Sequence, residues 1–143
     1  VYLAAQGWHM TAVDVLPDAL ERARDLAARY ARAIEPIVWR VLDLEQATPV
    51  FDRRFDLIIG FRYLHRPLFM RFVEWLAPGG NLLYETFTTT HRARHGKPSS
   101  DAHVLRPGEL RELVGELKIV HFTEAWRGAA HTARVWARKA TGP

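Results

Sequence analysis

The stretch "MTAVDVLPDALERARDLA" limits the fold more than any other. Met10 to Val15 is a short apolar run that carries Asp14 near its end. A run of this kind suits a parallel strand buried on both faces. Pro17 follows where proline is tolerated, in the first turn of a helix. Leu20, Ala23, Leu26, Ala27, Tyr30 and Ile34 then recur at three- and four-residue spacing and make one apolar stripe. Pro36 marks the end of that helix. Strand, terminal acidic residue and amphipathic helix together form the repeating unit of a parallel α/β sheet.

The unit recurs downstream. Ile37 to Leu42 is rich in β-branched and aromatic residues and runs into Asp43. Phe55 to Phe61 is apolar apart from Asp56, as a strand covered on both faces requires. "RPLFMRFVEWLAPGG" predicts a helix with Leu68, Phe69, Phe72, Val73 and Leu76 on its inner side, stopped by Pro78-Gly79-Gly80. "NLLYETF" is a fourth strand. Thr88 to Leu105 shows no hydrophobic period and predicts a long polar loop, a feature that is often functional. "RPGELRELV" is a short helix. "KIVHFTEAW" and "TARVWARK" lie too close in sequence for a helical crossover, so they pair as an antiparallel hairpin. The expected fold class is α/β. It is a Rossmann-like, mostly parallel sheet with helices on both faces and a C-terminal antiparallel hairpin, in one domain over residues 1–143.

Composition narrows the chemistry. The chain has no cysteine, which excludes disulfides and thiolate metal sites. No apolar run approaches the roughly 18–20 residues of a membrane span, and a cytoplasmic location is the default. The formal charge of +4 comes from arginines spread over helices, one loop and the last strand. A nucleic-acid surface is better marked by a concentrated basic stripe with interleaved aromatics, so nucleic acid is not the expected partner.

In open α/β sheets, ligands bind beyond the carboxyl ends of the strands. That rule selects Asp14, Asp43, the segment from Gly60 to His65, and Glu85 to Phe87. A carboxylate at the position of Asp14 can accept hydrogen bonds from both hydroxyls of a ribose; it also suits the N-terminal end of a helix dipole. Val15 and Leu16 can pack on an adenine ring. Asp43 can accept a bond from the adenine amino group, or simply form a turn.

"TAVDVLPDALERAR", "VLDLEQ", "FDLIIGFRYLH", "LAPGGNLLYETF" and the terminal hairpin, in this order, resemble a class I S-adenosylmethionine-dependent methyltransferase over nearly the whole chain. The hairpin sets that family apart from nicotinamide dehydrogenases, which share the acidic ribose residue. "RYLHRPLF", "LLYETF" and "LRPGEL" are most similar to small bacterial methyltransferases related to the tellurite-resistance methyltransferase group. The resemblance implies S-adenosylmethionine as cofactor, with Asp14 holding its ribose and Asp43 and Leu44 forming the adenine-binding turn. It implies that Phe61 and Arg62 face the cofactor's methionine part and the entering substrate. The family's first strand and glycine-rich loop have no counterpart here. The only early glycine, Gly7, reads as the cap of a helix. Two buried strand edges then lack a partner, so the expectation is a chain incomplete at its N-terminus.

Methyl transfer needs a general base only if the acceptor carries a proton at working pH. The candidates are His65, Tyr63, Glu85 and His91. His65 also suits the start of a helix, and Tyr63 also suits packing. Glu85 falls inside a buried strand and requires a partner such as Arg62. The substrate candidates are Arg62, Tyr63, His65, Glu85 and His91. His91 and His95 have helical metal-ligand spacing, but no helix is predicted there and no third ligand is assured, so no metal site is expected. With Arg92, Arg94 and Lys97 the loop reads as a basic lid that favours an anionic small molecule. The expected function is methyl transfer from S-adenosylmethionine to a small-molecule acceptor. The rivals are an RNA or protein methyltransferase and a non-catalytic binding domain on the same fold.

Overall fold

A computed structural model describes residues 1–30 and 34–142. The chain divides into two units, Val1–Pro49 and Val50–Pro143.

In the first unit, helix α1 (Tyr2–Ala5) ends in a turn at Gly7, whose φ of +89° suits glycine, and the Gly7 N–H bonds the Ala4 carbonyl at 3.1 Å. Strand β1 (Met10–Asp14) pairs in parallel with β2 (Ile37–Val41), in register from Met10 opposite Ile37 to Asp14 opposite Val41. Helix α2 (Pro17–Arg29) connects them, with Pro17 in its first turn as its fixed φ favours. The expected stripe runs to Ile34, but α2 is capped at Tyr30 and Ile34 is not helical; residues 31–33 of that stretch lie outside the described residues.

In the second unit, β3 (Phe55–Phe61) pairs in parallel with β4 (Leu76–Phe87) through helix α3 (Leu68–Trp75). Strand β6 (Ala130–Arg138) runs antiparallel between β4 and β5 (Lys118–Arg127), giving the sheet order β3-β4-β6-β5. The terminal hairpin is therefore as expected. Strand alternation buries Leu82, Tyr84 and Thr86 of β4 and Ala133, Val135 and Ala137 of β6. Helix α3 packs against β4 with Leu68, Phe69 and Phe72 buried, and helix α5 (Glu109–Leu113) packs against β6.

Two expectations are corrected here. Leu76 does not continue the helix. It takes an extended conformation, pairs with Phe55 and is wholly buried, because a sheet partner and full burial outweigh one more helical residue. Pro78-Gly79-Gly80 then forms an irregularity in β4 rather than a helix stop. Gly79 has φ +76° and bonds the carbonyls of Lys139 and Ala140, while a Cβ on Gly80 would stand 2.9 Å from the Phe55 carbonyl oxygen.

The second correction concerns Thr88 to Leu105. It is not a structureless loop but helix α4 (Thr89–His95) followed by a 3-10 turn (Asp101–His103). The Thr88 hydroxyl accepts the His91 N–H at 3.4 Å as N-cap, and Gly96, with φ +69°, closes the other end. None of the α4 residues is buried, so there is no apolar stripe to read. Among the described residues no helix is long and apolar enough to cross a membrane.

Candidate functional site

Asp14 and Asp43 stand together at the carboxyl ends of β1 and β2, where the Leu42 N–H bonds the Asp14 carbonyl at 3.0 Å. Each carboxylate uses one oxygen locally. Asp14 Oδ1 accepts the Leu16 N–H at 2.9 Å, and Asp43 Oδ1 accepts the Glu45 N–H at 2.9 Å. Among the described residues the second oxygen of each has no hydrogen-bond partner, which leaves each carboxylate one uncommitted acceptor. Val15 and Leu16, beside Asp14, are 51% and 59% exposed. Leu44 is half-buried next to Asp43.

In the second unit, β3 ends in a tight turn. Arg62 has φ +57°, a left-handed conformation that costs a non-glycine residue about 1 kcal/mol or more. Three contacts hold it. The Arg62 N–H bonds the Glu85 carbonyl at 2.9 Å, the Tyr84 hydroxyl donates to the Tyr63 carbonyl at 2.6 Å, and the Arg62 guanidinium lies 4.1 Å over the Phe87 ring. Burial raises the Tyr84 pKa, followed by the coulombic effect of Tyr63, so Tyr84 remains a protonated donor.

Phe87 begins a contiguous cluster of planar groups. It stacks on His91 at 4.1 Å, and His91 lies 4.5 Å from His95. Trp126 is 6.0 Å from His95 and 5.2 Å from His131, with Arg94 4.8 Å over its ring. The His91 pKa is lowered below its ordinary value, first by burial and then by repulsion from His95, Arg62 and His131. Helix α4 and the β5–β6 hairpin thus converge on the strand ends of β3 and β4.

The sequence-derived candidates separate on this geometry. Arg62 and His91 come together, bridged by Phe87. Phe61 lies beside them, its ring 5.3 Å from the Arg62 guanidinium. Glu85 does not pair with Arg62. Its carboxylate is bound by two nitrogens of Arg134, at 2.8 and 3.0 Å, because Arg134 lies directly opposite it in the β4–β6 register. A carboxylate so engaged is a structural ion pair rather than a free base. Among the described residues the His65 imidazole makes none of the ring contacts or hydrogen bonds of the cluster, and its carbonyl accepts the Leu68 N–H at the start of α3. Tyr63 serves the turn through its carbonyl. Among the described residues no group of three or more His, Asp or Glu could hold a metal ion.

Thr88, Trp126 and His131 are not among the sequence-derived candidates, and His95 appears among them only through its metal-ligand spacing and its place in the basic lid. A cap signal was present, since Thr88 and Gly96 bracket "TTHRARH". That helix alone places His91 and His95 on one face.

Comparison with known proteins agrees with this architecture. Residues 1–80 match the family described as "Methyltransferase domain". The fold resembles N-methyltransferase NodS from Bradyrhizobium japonicum WM9, with TM-score 0.69 and 22% identity over 92% of this chain and 74% of that one. It also resembles TehB from Haemophilus influenzae, with TM-score 0.74 and 16% identity over 96% of this chain. The chain spans about half of that protein, 52% of its length. Magnesium protoporphyrin IX methyltransferase from Synechocystis PCC 6803, solved with bound SAH, gives TM-score 0.72 and 14% identity over 98% of this chain and 68% of that one. No match was found among curated proteins. With more than half of its residues matched to the family, this chain belongs to the methyltransferase domain family.

Proposed function

We propose that the protein is a cytoplasmic enzyme that transfers a methyl group from S-adenosylmethionine to a small, anionic acceptor. The observation that carries this reading is the pair of strand-end carboxylates. Asp14 and Asp43 each present one uncommitted oxygen beside exposed apolar side chains, which fits the hydroxyls, amino group and flat face of an adenosine. In this reading Asp14 accepts from the ribose hydroxyls, and Asp43 and Leu44 form the adenine turn. Val15 and Leu16 cover the adenine ring, and Phe61 and Arg62 serve the methionine part. NodS and the Synechocystis enzyme, both of the same fold, have each been solved with S-adenosylhomocysteine (SAH) bound.

When bound, S-adenosylmethionine supplies a methyl group made electrophilic by a sulfonium. The protein's own task is then to bring the acceptor close and keep water away. Arg62 and Arg94, fixed over aromatic rings at the strand ends, draw an anion toward the cluster. An acceptor that arrives as an anion needs no base. That agrees with a Glu85 already neutralised by Arg134.

The test is titration of S-adenosylhomocysteine into the protein produced from its full reading frame. Asp14→Ala is expected to weaken binding about tenfold or more, since losing a charge-assisted hydrogen bond costs roughly 1.5–3 kcal/mol. Binding indifferent to Asp14→Ala would contradict the ribose assignment.

A further inference from the structure

A closed hydrogen-bond ring ties the start of α4 to the β5–β6 hairpin. The backbone N–H of His131 points at Nδ1 of His91 at 3.3 Å. The His131 Nδ1 lies 2.7 Å from the Thr88 hydroxyl, which in turn accepts the His91 backbone N–H at 3.4 Å. A backbone N–H can only donate. His91 Nδ1 must therefore carry its lone pair, and the ring proton of the neutral imidazole sits on Nε2. Among the described residues that Nε2 has no hydrogen-bond partner, and the imidazole is half-buried, so one edge is available.

We infer that Thr88 and His131 are positioning residues that lock His91 as a neutral Nε2–H tautomer, so that His91 donates a hydrogen bond to the methyl acceptor and does not take its proton. This rests on the reading that the acceptor enters at the strand ends of β3 and β4. It reverses the role of a base that the residue type alone suggests. Stacking on Phe87 fixes the plane of the ring. The cationic and titratable groups facing it are Arg62 from the turn after β3, His95 from α4 and His131 from β6, with Trp126 of β5 as the neutral neighbour. All three disfavour a positive charge on His91, and a proton on Nδ1 would set one N–H against another. Acidification therefore breaks the ring. The neutral donor is retained through the ordinary histidine range and is lost only as pH falls below it.

Long-range proton–nitrogen correlation NMR of the imidazoles, on the protein from its full reading frame, reads the tautomer directly. His91 is expected to show a protonated Nε2 and an unprotonated Nδ1 at about pH 8, with a titration midpoint below the usual value of about 6.5. Thr88→Val is expected to mix the tautomers, because it frees the His131 ring and with it the hairpin N–H held against His91 Nδ1. Thr88→Ser, which keeps the hydroxyl, is expected to retain the wild-type behaviour. A predominant Nδ1–H tautomer in the wild type overturns the inference whether or not any variant folds. So does a folded Thr88→Val protein in which His91 keeps the wild-type tautomer unmixed. The measurement requires no acceptor, so its outcome is independent of whether the acceptor binds at this end of the sheet.

Discussion

Arg66→Ala is expected to lower the unfolding free energy by about 3 kcal/mol, measured by urea denaturation. Arg66 follows the turn at the end of β3 and reaches across to the segment after α4. Its Nε and Nη2 grip both oxygens of Glu109, at 2.7 and 3.0 Å. Its remaining donors satisfy the carbonyls of Ala102 at 3.1 Å and Val104 at 3.0 Å. Glu109 is only 4% exposed, so truncating Arg66 leaves a buried carboxylate with the Arg106 backbone N–H and a distant Arg106 side chain, together with unsatisfied carbonyls. Arg66→Lys is expected to recover a minority of the loss, because a single ammonium cannot reproduce a planar fork.

The same contact has a pH signature. The hydrogen bond from Arg66 is the chief reason that the Glu109 carboxyl is held at about 2; burial opposes it, and the Arg106 N–H assists. Because the folded value lies below the ordinary 4.5, the stabilisation is complete above that pH and is lost as pH falls from there toward about 2. Wild-type stability is expected to decline across that window, and Arg66→Ala is expected to flatten the decline. Equal slopes in both proteins would show that Glu109 is not held by Arg66.

Gly60→Ala is expected to cost about 3 kcal/mol, at the upper end of overpacking effects. A Cβ at Gly60 would stand 2.0 and 2.3 Å from two carbons of the Tyr84 ring, far inside contact distance. The ring cannot yield easily. It packs against Phe69 at 4.8 Å and Phe72 at 5.9 Å, and its hydroxyl is committed to the Tyr63 carbonyl. Displacing it also releases the turn that presents Arg62. Tyr84→Phe alone is expected to cost about 1 kcal/mol, the worth of one hydrogen bond. Adding it to Gly60→Ala is not expected to rescue stability, because the obstruction is the ring rather than the hydroxyl. A Gly60→Ala protein within about 0.5 kcal/mol of wild type would disprove the close approach.

Strands were legible wherever an apolar run met a turn signal. Phe55–Phe61 was read to the residue, and the end of β1 at Asp14 followed from the same logic. What was not legible depends on partners distant in sequence. Glu85 finds Arg134 only because β4 and β6 pair in one register, across 49 positions of chain. Leu76 leaves the helical pattern because Phe55 offers it a sheet partner. Helix α4 escaped because it buries no residue, so its two caps were the only trace it left. The cluster around His91 combines both difficulties, an unrecognised helix and the tip of a hairpin 40 residues away.

Calorimetric titration of the protein from its full reading frame with S-adenosylmethionine, S-adenosylhomocysteine and NAD bears most directly on the central claim. A strand-end carboxylate can serve the ribose of either cofactor class, so the comparison discriminates where Asp14 alone does not. The expected result is one-to-one binding of both adenosyl sulfur compounds and none of NAD. Binding of NAD without S-adenosylmethionine, or binding of neither, would contradict it.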